Sequence, residues 1–178
     1  MPQSSSGSLV AALALAATLG VPSASAQIVL FETYGAQSGD SVGNSFDGAG
    51  DVDGDGYDDL VVGRPKGLGP DQVYYGYVTV FSGLDGSVIW QIECPIAMVA
   101  GAGDVDGDGH DDIVTGSAAY DLVGQNSGLV QVYSGADASL LWEFFGDANG
   151  IALGREVSRI GDVLTLAVIN PYDILKLD

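Results

Sequence analysis

Gly50-Asp51-Val52-Asp53-Gly54-Asp55-Gly56-Tyr57-Asp58-Asp59-Leu60-Val61 returns 53 residues later as Gly103-Asp104-Val105-Asp106-Gly107-Asp108-Gly109-His110-Asp111-Asp112-Ile113-Val114, with ten of the twelve positions identical. A second shared block comes after each copy: Gly76-Tyr77-Val78-Thr79-Val80-Phe81-Ser82-Gly83 recurs 52 residues on as Gly128-Leu129-Val130-Gln131-Val132-Tyr133-Ser134-Gly135. Behind these stand Ser87-Val88-Ile89-Trp90 and Ser139-Leu140-Leu141-Trp142. A third copy begins and then fails. Leu30-Phe31-Glu32 through Val42-Gly43 aligns without gaps to Leu141-Trp142-Glu143 through Leu153-Gly154, and that register carries to Gly161-Asp162-Val163. Self-similarity at a fixed period of this size marks stacked supersecondary units.

Within each unit the signals are those of short antiparallel strands. Tyr75 to Phe81 and Val130 to Tyr133 alternate at period two, with β-branched and aromatic residues bounded by glycines. Leu84-Asp85-Gly86 between two such runs reads as a hairpin loop. In the first unit, four strands are expected: about 44–49, 59–63, 75–82 and 87–92. No stretch after Ala26 holds a 3.6-residue apolar period, so helix content should be low. Four strands per unit of this length match a β-propeller blade. The fold class expected is therefore all-β, a partial propeller of two full four-stranded blades plus a degenerate third.

Composition limits the partners. The 178 residues carry 24 Asp+Glu against 5 Lys+Arg, a formal net charge of -19. Five basic residues cannot supply a phosphate-binding surface, so no nucleic-acid partner is expected. With 47% hydrophobic residues and a mean hydropathy of +0.27, the chain is not an acidic disordered tail. Its 27 glycines lack Gly-X-Y periodicity, which excludes a collagen.

The first 26 residues read as an address. Leu9 to Val21 is an uncharged run rich in Ala and Leu, followed by Pro22 and Ala24-Ser25-Ala26, the pattern of a secretory signal peptide cleaved after Ala26. Met1 to Ser8 departs from that pattern in lacking Lys and Arg, and a short buried helix is the alternative. About 13 apolar residues fall short of the roughly 20 a bilayer requires, so no stable membrane span is expected. The division expected is a signal peptide at 1–26 and an incomplete propeller at 27–178, with units at about 30–88, 89–140 and 141–178. Cys94 is the single cysteine, so an exported chain gains no internal disulfide and the residue reads as a small buried apolar one.

Gly43-Asn44-Ser45-Phe46-Asp47-Gly48-Ala49-Gly50-Asp51 through Val62-Gly63-Arg64-Pro65 resembles an FG-GAP repeat, the calcium-binding blade unit of integrin alpha-chain propellers and of many bacterial secreted proteins. The match is close at the loop and loose at its flanks. The leading Phe-Gly pair is Phe46-Asp47 and then Val99-Ala100; Gly-Ala-Pro stands as Gly63-Arg64-Pro65 and then Gly116-Ser117-Ala118. The resemblance implies extracellular recognition, with propeller loops on one face meeting a partner and calcium rigidifying turns on the other.

The acidic loops carry the chemistry. Asp51, Asp53, Asp55 and Asp59 occupy positions 1, 3, 5 and 9 of a turn, with Gly56 at position 6 and the Tyr57 carbonyl available at position 7. Asp104, Asp106, Asp108, Asp112 and the His110 carbonyl repeat the set. Hard oxygen ligands at these spacings converge on one point, as in the first half of an EF-hand loop, and without Cys or imidazole they select calcium over zinc. Two Ca2+ per chain are expected, which would bring the charge from -19 to -15. The competing reading is a solvated Asp/Gly turn. An EF-hand or dockerin would need an acid or polar ligand near position 12 and a helix after it, whereas Val62 and Thr115 stand there within strand sequences. Asp58 and Asp111 fall between ligand positions and are expected to face solvent. In the third unit five loop residues are missing and only Asp162 survives, so no metal is expected there.

Nothing points to catalysis. His110 sits in a metal loop at a main-chain position; Trp90 and Trp142 are repeat-equivalent and read as blade packing; Glu32 and Glu143 are likewise equivalent and read as structural. The chain is read as a secreted, extracellular or periplasmic calcium-binding repeat protein without enzymatic activity, serving recognition or adhesion toward an extracellular protein or glycan. Too few blades to close a ring would leave blade edges open, so self-association through those edges, or poor folding in isolation, is also expected. Two alternatives stand beside this: a non-catalytic module of a larger secreted hydrolase or carbohydrate-active protein, and a truncated gene product without independent function.

Overall fold

The computed structural model describes residues 42–68, 74–96, 98–121, 126–147 and 152–158, with side chains omitted at 66–68 and 74. The signal-peptide segment, Glu32 and the shortened third loop around Asp162 lie outside the described residues.

Among the described residues, eight strands form two four-stranded antiparallel sheets, and no helix occurs. The first is the meander β1 (Ser45–Gly50), β2 (Asp59–Leu68), β3 (Tyr74–Phe81), β4 (Val88–Pro95). The second repeats it as β5 (Met98–Gly103), β6 (Asp112–Ser117), β7 (Leu129–Tyr133), β8 (Leu140–Phe145). These are the strands expected from the alternation. Sheet borders fall several residues later than the unit borders from self-comparison, which leave β4 at the head of the second unit. Sequence periodicity has no fixed phase, whereas hydrogen bonding places β4 with β3 through Val78↔Ile92 and Val80↔Trp90.

The repeat is visible in the irregularities as well. The ladder slips between Gly48 and Gly50 in one sheet and between Gly101 and Gly103 in the other, and again between Val80/Phe81 and Val132/Tyr133. Bulges of this kind bend a strand and redirect the chain beyond it. Here the first pair lies immediately ahead of each acidic loop. In both sheets the hairpin between the third and fourth strands closes alike, with Ser82 N donating to Ser87 O and Ser134 N to Ser139 O, each at 2.8 Å.

Period-two alternation sends one set of side chains from the first sheet onto the second. Ala49, Val61, Val78 and Val80 pack with Val99, Ile113 and Tyr133 of the second sheet, and Ile89, Trp90 and Ile92 of β4 close the same cluster. Trp90 Nε1 donates to the Gly135 carbonyl at 2.8 Å, and Ser45 Oγ accepts from Val99 N at 2.9 Å. A second cluster joins Ala102, Val114, Val130 and Val132 to Leu153 and Val157. Strands β6 and β7 are consequently buried along their whole length, while β8 is mostly exposed. Cys94 is buried in the first cluster, and burial pushes its thiol up to about 11, in keeping with an apolar role.

Candidate metal centre

Each acidic loop connects the first two strands of its sheet, and the two loops trace nearly the same path. Gly50, Gly54 and Gly56 have φ of 79°, 77° and 91°; Gly103, Gly107 and Gly109 have 76°, 80° and 92°. This left-handed region favours glycine, so the repeated Asp-Gly pattern dictates the local backbone.

The aspartates at positions 3 and 5 turn back on their own loop. Asp53 Oδ1 accepts from Asp55 N at 3.1 Å and Asp55 Oδ1 from Tyr57 N at 2.8 Å; Asp106 and Asp108 do the same with Asp108 N (3.1 Å) and His110 N (2.9 Å). Position 9 is different in kind. Asp59 is 2% and Asp112 0% exposed, and each binds two backbone amides. Asp59 accepts from Val52 N at 2.7 Å and Gly83 N at 2.9 Å; Asp112 from Val105 N at 2.8 Å and Gly135 N at 2.9 Å. Each thus ties its loop to the hairpin turn between the third and fourth strands. Burial raises both carboxyls above the ordinary aspartate value, and the amide hydrogen bonds pull the other way.

Oxygens of Asp51, Asp53 and Asp59 lie within 4.8 Å of one another in the first loop, as do those of Asp104, Asp106 and Asp108 in the second. Between them the two triads use positions 1, 3, 5 and 9. Asp55 and Asp112 are not drawn into their triads, and Tyr57 and His110 meet the loop through their amide nitrogens. Asp51 Oδ1 is buried with no hydrogen-bond partner, while Oδ2 accepts from Gly56 N at 2.9 Å. A buried carboxylate oxygen without a proton donor is costly unless a cation meets it. The donor set is all hard oxygen. These observations fit a hard divalent cation in the first loop, and the second loop offers the same donor types.

One expectation is corrected. Asp111 does not face solvent: its Oδ2 accepts from Asp51 N at 2.8 Å, and its own amide donates to Asp51 O at 3.0 Å, so it spans the two sheets. Beside it, His110 Nδ1 lies 2.8 Å from the Val52 carbonyl, which only accepts, so the ring proton sits on Nδ1. Asp58, the equivalent of Asp111, is exposed as expected. Sequence carried no signal for the contact, because identical positions in the two loops meet different neighbours. Trp90 packs as expected, but Trp142 is 39% exposed. Glu143 accepts from Gln131 Nε2 at 2.8 Å, a cross-strand pair on β7 and β8.

Two stacked antiparallel sheets, each with a glycine-rich acidic loop between its first two strands, define a blade-repeat protein. The FG-GAP repeat family model matches residues 42–81 and 98–133, covering β1–β3 and β5–β7, and the chain therefore carries two FG-GAP repeats, one in each sheet. The comparison with curated proteins gave no match. Among the described residues, no helix is long and apolar enough to cross a membrane.

Proposed function

We propose that the chain is an exported calcium-binding FG-GAP repeat module that serves extracellular recognition and carries out no chemistry of its own. The observation that carries the reading is the duplicated acidic loop, in which Asp51 leaves a buried carboxylate oxygen without a protein partner. Asp51, Asp53 and Asp59 would hold one ion, and Asp104, Asp106 and Asp108 the other. Bound calcium supplies positive charge that offsets the repulsion of clustered carboxylates. The chain's own residues do the rest: Asp59 and Asp112 carry the loop's order to the hairpin turns, and His110 and Asp111 carry it across to the neighbouring sheet. Affinity on the order of 10⁻⁴ to 10⁻³ M, typical of extracellular modules, is expected. Thermal unfolding in millimolar calcium against excess chelator tests this, with calcium raising the midpoint; superimposable curves contradict it. N-terminal sequencing of the chain recovered from a secreting host tests export, with Gln27 expected first.

The outer face of β8 is the surface we assign to association. Leu140, Trp142 and Phe144 share one face at period two and are 48%, 39% and 42% exposed. Their repeat equivalents in β4 include Trp90 and Ile92, which pack against the other sheet. A second copy of the chain stacking its blade there would bury the same side chains. Sedimentation should show concentration-dependent association that Trp142→Asp abolishes. A monomer at all concentrations would favour the second reading, a module that packs against a further blade of a larger assembly.

A further inference from the structure

We propose that Asp111, a residue of the second loop, positions the first loop, so that the first takes up calcium at lower concentration although the ligand spacings are identical. The inference rests on the calcium reading of the loops given above.

The geometry is a clasp of two hydrogen bonds in opposite directions. Asp51 N donates to Asp111 Oδ2 at 2.8 Å, and Asp111 N donates to Asp51 O at 3.0 Å. His110 Nδ1 holds the next carbonyl, that of Val52, at 2.8 Å. The main chain of the residue at position 1 is thereby fixed from outside its own loop. Gly50 admits the contact, since a Cβ there would overlap the Asp111 carboxylate.

The clasp acts on the carboxylate of position 1. With its backbone held, Asp51 uses Oδ2 for Gly56 N at 2.9 Å and keeps Oδ1 buried and without a protein donor. Asp104 folds onto its own loop instead. Its Oδ1 accepts from Gly107 N at 2.7 Å and Asp108 N at 3.0 Å, and its Oδ2 from Gly109 N at 3.0 Å. Turning Asp104 Oδ1 toward an ion means loosening two hydrogen bonds; Asp51 Oδ1 has none to loosen. A position 1 carboxylate that already keeps one oxygen open for the ion avoids that cost, and its loop binds more tightly. Asp58, which occupies the Asp111 position in the first loop, is exposed, so between these two loops the contact runs from the second to the first.

Asp111 also places negative charge near both loops, and charge and positioning predict different results. The test is a calcium titration of the full chain monitored by NMR at the amides of Gly56 and Gly109, the sixth residue of each loop. In the parent, Gly56 should shift at about tenfold lower calcium than Gly109, the worth of about one hydrogen bond to a charged acceptor. Asp111→Ala should raise the Gly56 midpoint about tenfold and leave Gly109 within about twofold; Asp111→Asn, which keeps an oxygen acceptor, should recover most of the loss. Equal midpoints in the parent overturn the inference without any variant. Equal weakening of both loops by Ala and by Asn also overturns it, since that is the signature of charge alone. If neither amide responds to calcium, the calcium reading falls and this inference with it.

Discussion

Asp112→Ala, measured without calcium, separates the scaffold role of position 9 from any role as a ligand. Asp112 is fully buried and accepts two amides, Val105 N at 2.8 Å in a part-buried setting and Gly135 N at 2.9 Å in a buried one. Truncation leaves both donors without an acceptor. The buried one costs about 1–3 kcal/mol and the part-buried one about 1 kcal/mol, so roughly 2–4 kcal/mol is lost. Relief of the buried charge, which raises the Asp112 carboxyl above its ordinary value, offsets part of this and favours the lower end near neutral pH. Asp112→Asn retains one acceptor oxygen and should lose about half as much. The control is Asp106→Ala, whose exposed carboxylate accepts only Asp108 N, and which should cost about 0.5 kcal/mol. Urea unfolding in excess chelator, with unchanged slopes across the variants, gives the comparison. If Asp112→Ala unfolds within about 0.5 kcal/mol of the parent under those conditions, the tie between loop and hairpin is not what holds the blade, and the reasoning fails.

Asp59 and Asp112 both have carboxyl pKa values raised in the folded state, chiefly by burial. Without calcium their contribution is therefore complete below the ordinary value of 3.8 and is lost as pH rises through the folded values. Urea midpoints in chelator should fall across that window, and saturating calcium, which binds the carboxylate form, should flatten or reverse the trend. Ala138 sits at φ 60°, where its counterpart in the first hairpin is Gly86 at φ 76°. Ala138→Gly should stabilise by roughly 0.5–1 kcal/mol, because relief of the left-handed strain exceeds the added freedom of the unfolded chain; Gly86→Ala should do the reverse. Both are read from urea unfolding.

Much of the fold is legible in the residues, and the exceptions share a cause. Alternation in Tyr75 to Phe81 locates β3, and its duplication locates β7; Leu84-Asp85-Gly86 marks the hairpin that Ser82 and Ser87 close. Repetition of Asp at positions 1, 3, 5 and 9 marks the loops, and the structure gathers three of the four in each. Local sequence encodes such features because they depend on neighbours along the chain. The role of Asp111 is hidden because its partner, Asp51, lies 60 residues away in the other sheet, while its repeat equivalent Asp58 is exposed. Trp90 and Trp142 are likewise indistinguishable in the repeat. One donates to Gly135 of the next sheet and the other stands 39% exposed, a difference set by what stacks on each sheet. The second task of Asp59 and Asp112, as acceptors for Gly83 and Gly135, depends on the return of the third strand to the loop.

Calorimetric titration of calcium into the full chain decides whether the two acidic loops are metal sites. Two ions per chain are expected, with Asp53→Ala and Asp106→Ala each removing one, since each belongs to a different triad of converging carboxylates. An absence of binding heat, or a stoichiometry that neither substitution changes, would contradict the account.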